Sequence, residues 1–153
     1  MIAIRKLTAA DVDVVQEMVL DFGAYLTGLG DAWAHNFTAE RYLADGFGPN
    51  PAFHGLIAED SGVALGYLLM SPNYDVDRGM RIEIIVDLWV NAKARGKGAG
   101  KKLALAAADA ARERGARQLL WAVYKPNTLA ANFYRGIGGQ MIDDLDWMYL
   151  PLD

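Results

Sequence analysis

The most constraining feature of this 153-residue chain is an alternating apolar segment that passes through a glycine-rich basic turn into an alanine-rich segment. The first segment, RIEIIVDLWV at residues 81–90, has the period of two that predicts a β-strand. Its alternation assigns one face to Ile82, Ile84, Val86, Leu88 and Val90, and the other to Glu83, Ile85, Asp87 and Trp89. The last segment, LALAAADAARERG, predicts a helix that ends at Gly115. A strand followed directly by a helix favours an α/β fold.

The rest of the chain predicts further strands and helices around this unit. Thr8 and Asp11 indicate a helix start, and Thr38 indicates the start of a shorter helix closed by Gly46. Asp60-Ser61-Gly62 predicts a hairpin turn, and SPNYDVDRG at residues 71–79 predicts a polar loop. RQLLWAVY and DLDWMYLPL predict late strands on either side of a short helix, TLAANFYRGIG. The length and the lack of a linker favour one domain over residues 1–153.

Composition limits the kinds of site that the chain can hold. The net charge is −4, so the whole surface does not indicate a nucleic-acid binder, and the cationic turn is a local feature that suits a small anion. The absence of cysteine excludes disulfides and thiolate sites, and the spacing of His35 and His54 does not fit a helical metal pair, so we expect no metal. With no leader-like start and no apolar span, we expect a cytoplasmic protein without membrane contact.

The glycine-rich turn, KARGKGAGKK at residues 93–102, fits neither of two well-known phosphate-binding patterns. A P-loop and a dinucleotide fingerprint both fail because Lys101 stands where each pattern needs a glycine. The remaining mechanism is general: glycines let main-chain N–H groups converge on an oxyanion at a helix start, and nearby cations add charge. Those cations are Arg95, Lys97, Lys101 and Lys102. The alternative is a solvated basic turn before a surface helix.

Two motifs in this part of the chain resemble those of the GNAT N-acetyltransferase superfamily. Arg95-Gly96-Lys97-Gly98-Ala99-Gly100 matches the family pattern R/Q-x-x-G-x-G/A, and DLWVNAKARG resembles the strand-to-turn junction before it. Asn127, Ala130, Phe133 and Tyr134 are spaced as in the family's later N-x-x-A-x-x-F-Y segment. The order of the predicted elements extends the resemblance over nearly the whole chain.

The resemblance implies a single-domain GNAT-like fold and an acetyl-CoA-dependent N-acetyltransferase. The implied sheet is mixed and mostly antiparallel, with six to seven strands, helices on both faces and a split between two central parallel strands. The implied contacts of the acetyl-CoA diphosphate and pantetheine are Leu88, Trp89, Val90, Arg95, Gly96, Lys97, Gly98, Ala99, Gly100, Lys101 and Asn127.

The resemblance also implies catalytic residues, although it leaves the general base open. Tyr134 occupies the position of the tyrosine that protonates the CoA sulfur, with a core aromatic as the alternative role. Some relatives carry Glu-Asp where this chain has Val86-Asp87, so the glutamate is missing. Glu83 and Asp87 are the candidate bases, on the interpretation that they share a strand face, and a water-mediated route without a single base is the alternative.

The expected acceptor is a small-molecule or peptide amine. Acidic and aromatic side chains suit a cationic amine. Two segments supply them, AYLTGLGDAWAHNF at residues 24–37 and SPNYDVDRGM at residues 71–80. The candidate residues are Tyr25, Asp31, Trp33, His35, Tyr74, Asp75 and Asp77. Homodimers are common in the family, and DWMYLPLD is a candidate pairing edge. Two alternatives to an enzyme are a catalytically silent acyl-CoA-binding module, which the missing glutamate favours, and a nucleotide-binding domain.

Overall fold

A computed structural model describes residues 1–32 and 36–152 of the chain. The strands are β1 (Ala3–Lys6), β2 (His54–Asp60), β3 (Val63–Asp75), β4 (Met80–Val90) and β5 (Leu119–Leu120). The helices are α1 (Val12–Gly28), α2 (Ala39–Phe47), α3 (Ala99–Glu113) and α4 (Thr128–Gly136). The chain divides into two compact units, residues 1–122 and 123–153.

The strands form a single mixed sheet in the order β1-β2-β3-β4-β5. The first four strands are antiparallel, whereas β5 runs parallel to β4. The β4–β5 pairing covers only two residue pairs, Glu83–Leu119 and Ile84–Leu120, although β4 continues to Val90. Among the described residues, the later part of β4 therefore pairs with β3 on one side and has no strand partner on its other, open side.

The expectation of six to seven strands is wrong for the described residues, which form five strands. Of RQLLWAVY only Leu119 and Leu120 are in a strand, and DLDWMYLPL forms none over its described residues, 144–152. Alternation makes a segment suitable for a strand, but a strand also needs a hydrogen-bonding edge. The apolar side chains of this last segment are largely exposed, with Trp147 at 73% and Tyr149 at 72%.

The sheet of the first unit carries an apolar cluster on each face. On one face α1 and α2 pack through Val15, Met18 and Tyr42 against Ile57, Tyr67 and Trp89. On the other face α3 packs through Ala99, Leu103 and Ala107 against Leu56, Leu68 and Ile85. Small alanines on the inner side of α3 let the helix approach the sheet closely. Helices therefore cover both faces.

Local sequence signals explain most element boundaries. Thr38 accepts a hydrogen bond from the Arg41 N–H at 3.2 Å and caps α2. Ser61 and Gly62 both have a positive φ, 52° and 79°, as a two-residue hairpin turn requires. The predicted polar loop at residues 71–79 is shorter than expected, because β3 extends to Asp75 and pairs there with Met80.

An irregularity in β4 changes which side chains share a face. The β3–β4 register shifts so that Leu69 lies opposite Asp87 while Met70 lies opposite Ile85, which leaves Val86 as an extra residue. Such a bulge reverses the alternation beyond it. Glu83 therefore faces α3 and Asp87 faces α1, and the prediction that the two carboxylates share a strand face is wrong.

No helix in the described ranges, 1–32 and 36–152, is both long and apolar enough to cross a bilayer.

An ion pair ties the start of the chain to the entry of α1. Arg5 donates to both carboxylate oxygens of Asp11 at 2.9 and 2.8 Å, and the Thr8 N–H donates to Asp11 at 2.8 Å. The Arg5 hydrogen bond lowers the pKa of Asp11 from 3.8 to about 2, against the opposing effect of burial. Because the pKa of Asp11 is lower in the folded state than in the unfolded state, the ion pair contributes its full stabilisation of the fold above the unfolded-state pKa. That stabilisation is lost as the pH falls through the folded-state pKa.

We expect Asp11→Asn to lower the free energy of unfolding by about 1–2 kcal/mol at pH 7, since Arg5 is partly exposed and its pairing is screened. The difference from the wild type should shrink as the pH falls from about 4 to 2, where the wild-type carboxylate also becomes neutral. Urea denaturation at several pH values measures it. Asp109→Asn, which removes a surface partner of Arg112, is the control and should cost less than about 0.5 kcal/mol. A pH-independent difference would contradict the ion-pair explanation.

Candidate active site

The glycine-rich bend lies between a strand end and a helix start, as the sequence predicts. After Val90 the chain makes a 3-10 turn at Ala92–Ala94, and α3 begins at Ala99. Gly96 and Gly98 have φ values of 76° and 88°, in the left-handed region that other residues rarely adopt. An added Cβ at either position would meet nothing within 4 Å. Backbone conformation, rather than space, is therefore the reason for glycine at these two positions.

The main-chain amides of this bend differ in whether they are already used. The Ala94 and Arg95 N–H groups donate to the carbonyls of Asn91 and Ala92, at 2.8 and 3.3 Å. Within the described part of the chain, the N–H groups of residues 96–101 make no hydrogen bond, and the intrahelical ladder resumes where Lys102 donates to Gly98. A row of unused N–H groups at the start of a 15-residue helix is a suitable binding site for an anion.

The four cations of the bend have different environments. Lys97 and Lys101 are exposed, so their ammonium groups are available to an anion at the helix start. The Lys102 ammonium donates to the Ile2 carbonyl at 2.9 Å. Arg95 instead donates from Nε to the Val90 carbonyl at 3.1 Å, and its guanidinium lies over the rings of Trp89 and Tyr25. The main-chain N–H and the guanidinium of Arg95 are therefore both engaged within the protein, away from the place where an anion would meet the unused N–H groups.

The open side of β4 presents main-chain groups in a defined pattern. Asn91 donates its N–H to the Leu65 carbonyl at 2.9 Å. Residues of an antiparallel strand alternate between groups directed at the partner strand and groups directed away from it. Since Asn91 is directed at β3, the alternation directs the N–H and C=O groups of Val90 and Leu88 away from β3. This edge can pair with an extended ligand as an added strand would.

Glu83 is enclosed between the sheet and α3. Its side chain is 1% exposed, and its two oxygens lie 3.1 Å from His54 Nε2 and 3.8 Å from Arg114 Nε. A buried carboxylate needs such partners because an unpaired charge is costly in an apolar interior. Sequence analysis missed His54 and Arg114 as partners, since strand pairing and the end of α3 bring together residues far apart in the chain.

Asp87 lies on the opposite face, next to the bulge. The buried Tyr67 hydroxyl donates to Asp87 at 2.5 Å, and burial together with this carboxylate raises the pKa of Tyr67 well above its usual range. Tyr67 therefore remains a protonated donor across the physiological range. This partner of Asp87 was also missed, because only the shifted register places Tyr67 and Asp87 on one face.

The residues expected to frame an acceptor have several environments. Tyr25 contacts Trp89 with tilted rings whose centroids are 5.5 Å apart, and it lies under Arg95, so a cation of the protein already lies over that ring. Asp75 pairs with Arg78 at 3.6 Å in the β3–β4 turn, while Tyr74 and Asp77 are exposed. Asp31 is half-buried and follows the end of α1. Trp33 and His35 lie outside the described residues.

The second unit holds the later motif. Asn127 is 7% exposed, and its side chain caps α4 by accepting from the Ala130 N–H at 3.1 Å. Phe133 and Tyr134 follow in the same helix, with ring centroids 5.3 Å apart and both side chains half-buried. Helix capping is thus one role of Asn127.

Similarity to known proteins agrees with this geometry. Residues 17–138 match the sequence profile of the Acetyltransferase (GNAT) family. The chain is 28% identical to the Thialysine N-epsilon-acetyltransferase of Mus musculus, over 95% of this chain and 88% of that protein. It is 31% identical to the Bos taurus protein of the same name, over 70% of this chain and 67% of that protein.

Solved structures of similar fold include the ribosomal-protein-alanine N-acetyltransferase from Brucella melitensis biovar Abortus 2308. The TM-score is 0.79 at 21% identity, covering 98% of this chain and 99% of that chain. At this identity the likeness shows the fold alone.

We expect Gly98→Ala to lower the free energy of unfolding by about 1 kcal/mol, because alanine is strained at a left-handed φ. It should also weaken anion binding at the bend, since relief of the strain turns the neighbouring N–H groups away. Urea denaturation and calorimetric titration with CoA measure the two effects.

Gly28→Ala is the matched control for this substitution. Gly28 ends α1 without a positive φ and also has nothing within 4 Å of an added Cβ. Its stability should stay the same or rise by up to about 1 kcal/mol. Equal effects at the two glycines would show that the left-handed conformation does not matter.

Proposed function

Because this chain belongs to the GNAT acetyltransferase family and is therefore an enzyme of acyl transfer, we propose that it transfers the acetyl group of acetyl-CoA directly to a primary amine. The observation that carries the proposal is the row of unused N–H groups at residues 96–101, at the start of α3. A diphosphate fits this site because several N–H groups and the helix dipole act on it together, with Lys97 and Lys101 adding charge.

The open side of β4 supports a position for the rest of the donor. We propose that the pantetheine amides pair with the N–H and C=O of Leu88 and with the N–H of Val90, alongside Trp89, because those groups point away from β3. The thioester would then lie beside the strand end, where a main-chain N–H near Val90 can donate to its carbonyl oxygen. Such a donor stabilises the oxyanion of the tetrahedral intermediate.

The proposed reaction is a direct attack. The neutral amine forms the N–C bond, the C–S bond breaks, and the amine gives up one proton while the departing thiolate takes one. We assign the protonation of the departing thiolate to Tyr134, because its position in the later motif and its phenolic hydroxyl suit that role. The chain contains no cysteine that could carry the acetyl group between two half-reactions.

As the acceptor of the proton that the amine gives up, the contacts favour Asp87 over Glu83. Asp87 lies next to Leu88 on the open stretch of β4, is half-buried and accepts from the Tyr67 hydroxyl, whereas Glu83 is 1% exposed and enclosed by His54 and Arg114. A base needs a route to the amine and to water, and an enclosed carboxylate has a poorer one. We therefore propose that Asp87 accepts the proton, directly or through water, and that Glu83 stabilises the packing of α3.

The proposed acceptor is a small cationic amine of the thialysine type. The Mus musculus and Bos taurus relatives carry that amino acid in their names, and acidic residues such as Asp31 and Asp77 in the segments expected to frame the acceptor suit a positive charge. The cation–π contact expected at Tyr25 does not support this proposal, because Arg95 already lies over that ring.

A thiol-release assay with acetyl-CoA tests the function. The panel should contain thialysine, lysine, a polyamine, an aminoglycoside and a peptide amine, with calorimetry of CoA binding alongside. We expect CoA to bind and thialysine to give the highest kcat/KM. Binding of CoA without thiol release from any amine would instead indicate a silent acyl-CoA-binding module, and no binding of CoA would contradict the diphosphate site.

We expect Tyr134→Phe to lower kcat by about 100-fold, since loss of a positioned general acid typically has an effect of that size. The Kd of acetyl-CoA should change little, because the phenyl ring is retained. Steady-state kinetics and calorimetry give the two quantities. Tyr149→Phe, at an exposed tyrosine of the same unit, is the control. Unchanged turnover in Tyr134→Phe would remove this residue from the mechanism.

We expect Asp87→Asn to lower kcat/KM for the amine by about 100-fold, since the amide cannot accept the proton. Glu83→Gln should lower the melting temperature more than Asp87→Asn does, because it leaves His54 and Arg114 beside a neutral side chain. Its kcat/KM should fall by less than that of Asp87→Asn. The reverse order of the two kinetic effects would assign the base to Glu83.

A further inference from the structure

We propose that Arg95 is a positioning residue that fixes the end of β4 against α1, and that its charge does not bind the diphosphate. This inference rests on the proposed function, because it concerns how the bend and the strand edge would hold acetyl-CoA. It differs from the motif-based expectation, in which Arg95 belongs to the cofactor-binding cations.

The hydrogen bonds of Arg95 turn it away from the anion site. Its amide donates to Ala92 at 3.3 Å and its Nε donates to the Val90 carbonyl at 3.1 Å. The unused amides begin one residue later, at Gly96. Arg95 thus binds the chain segment that precedes the anion site and leaves the site itself to Lys97 and Lys101.

The guanidinium also joins two elements through aromatic contacts. It lies 4.5 Å from the Trp89 ring centroid in β4 and 5.1 Å from that of Tyr25 in α1. Trp89 in turn stacks on Phe22 of α1 at 5.1 Å. A planar guanidinium can stack and donate at once, which a lysine ammonium cannot reproduce. Arg95 therefore fixes the position of the strand end relative to α1.

The bond to Val90 has a consequence for the open edge. The Val90 carbonyl points away from β3, so it would otherwise be the last acceptor that this edge offers to an extended ligand. Arg95 occupies it. The groups left to the pantetheine are the N–H and C=O of Leu88 and the N–H of Val90, which belongs to the preceding peptide and remains a donor. Arg95 thereby defines where pairing along β4 ends.

The test compares Arg95→Lys and Arg95→Met with Lys97→Met, a substitution of an exposed cation in the same bend. Each variant is measured for kcat with acetyl-CoA and the best amine of the panel, and for the Kd of CoA at low and high salt. We expect both Arg95 variants to lower kcat by about tenfold or more, because displaced reacting groups lose rate steeply. Their Kd for CoA should change by less than about threefold, with the wild-type salt dependence.

Lys97→Met should behave differently, raising the Kd of CoA and weakening its salt dependence, because it removes a charge that acts on the diphosphate. The inference is overturned if Arg95→Lys has the wild-type kcat and Kd while Arg95→Met raises the Kd of CoA and weakens its salt dependence. The positive charge alone would then account for the role of Arg95.

Tyr25→Leu keeps the test decisive if an Arg95 variant fails to fold. It removes one ring from the guanidinium without changing the bend, and we expect kcat to fall in the same direction, by about threefold or more, at unchanged Kd for CoA. Wild-type kcat in a folded Tyr25→Leu protein would overturn the link to α1. A wild-type protein that binds no CoA would contradict the proposed function instead, before any variant is compared.

Discussion

The proposed site depends on main-chain N–H groups at the start of α3 that make no hydrogen bond within residues 1–32 and 36–152. Gly96 and Gly98 adopt left-handed conformations that keep the chain from folding back onto these groups. The fold then supplies a helix behind them and a strand end before them. In a protein with a net charge of −4, this local arrangement is suited to an anion although the overall charge opposes it.

A second constraint is the single extra residue in β4. Without the bulge at Val86, the two carboxylates of this strand would lie on one side of the sheet. With it, Glu83 is enclosed by α3 and Asp87 lies beside Tyr67 on the α1 face. One inserted residue thus places the two carboxylates in different surroundings on opposite faces of the sheet.

Much of this organisation could be predicted from sequence where the signal is local. The strand–bend–helix unit, the Ser61-Gly62 turn and the Thr38 cap all depend on residues close in the chain, and family membership, predicted from two spaced motifs, is confirmed. The strand count was wrong because the late alternating segments form little strand here. The bulge and the contacts of Arg95 and Glu83 could not be predicted, because they depend on register and on residues distant in sequence.

The brief contact between β4 and β5 has a thermodynamic consequence. The ladder between β4 and β5 is much shorter than the ladder between β3 and β4, so less main-chain pairing opposes local separation at this edge. A molecule that pairs with the later part of β4 would add main-chain hydrogen bonds at this edge, and the folded protein would gain stability by RT ln(1 + [L]/Kd), where [L] is the free concentration of that molecule. The melting temperature of the protein would therefore rise when such a molecule binds along the later part of β4.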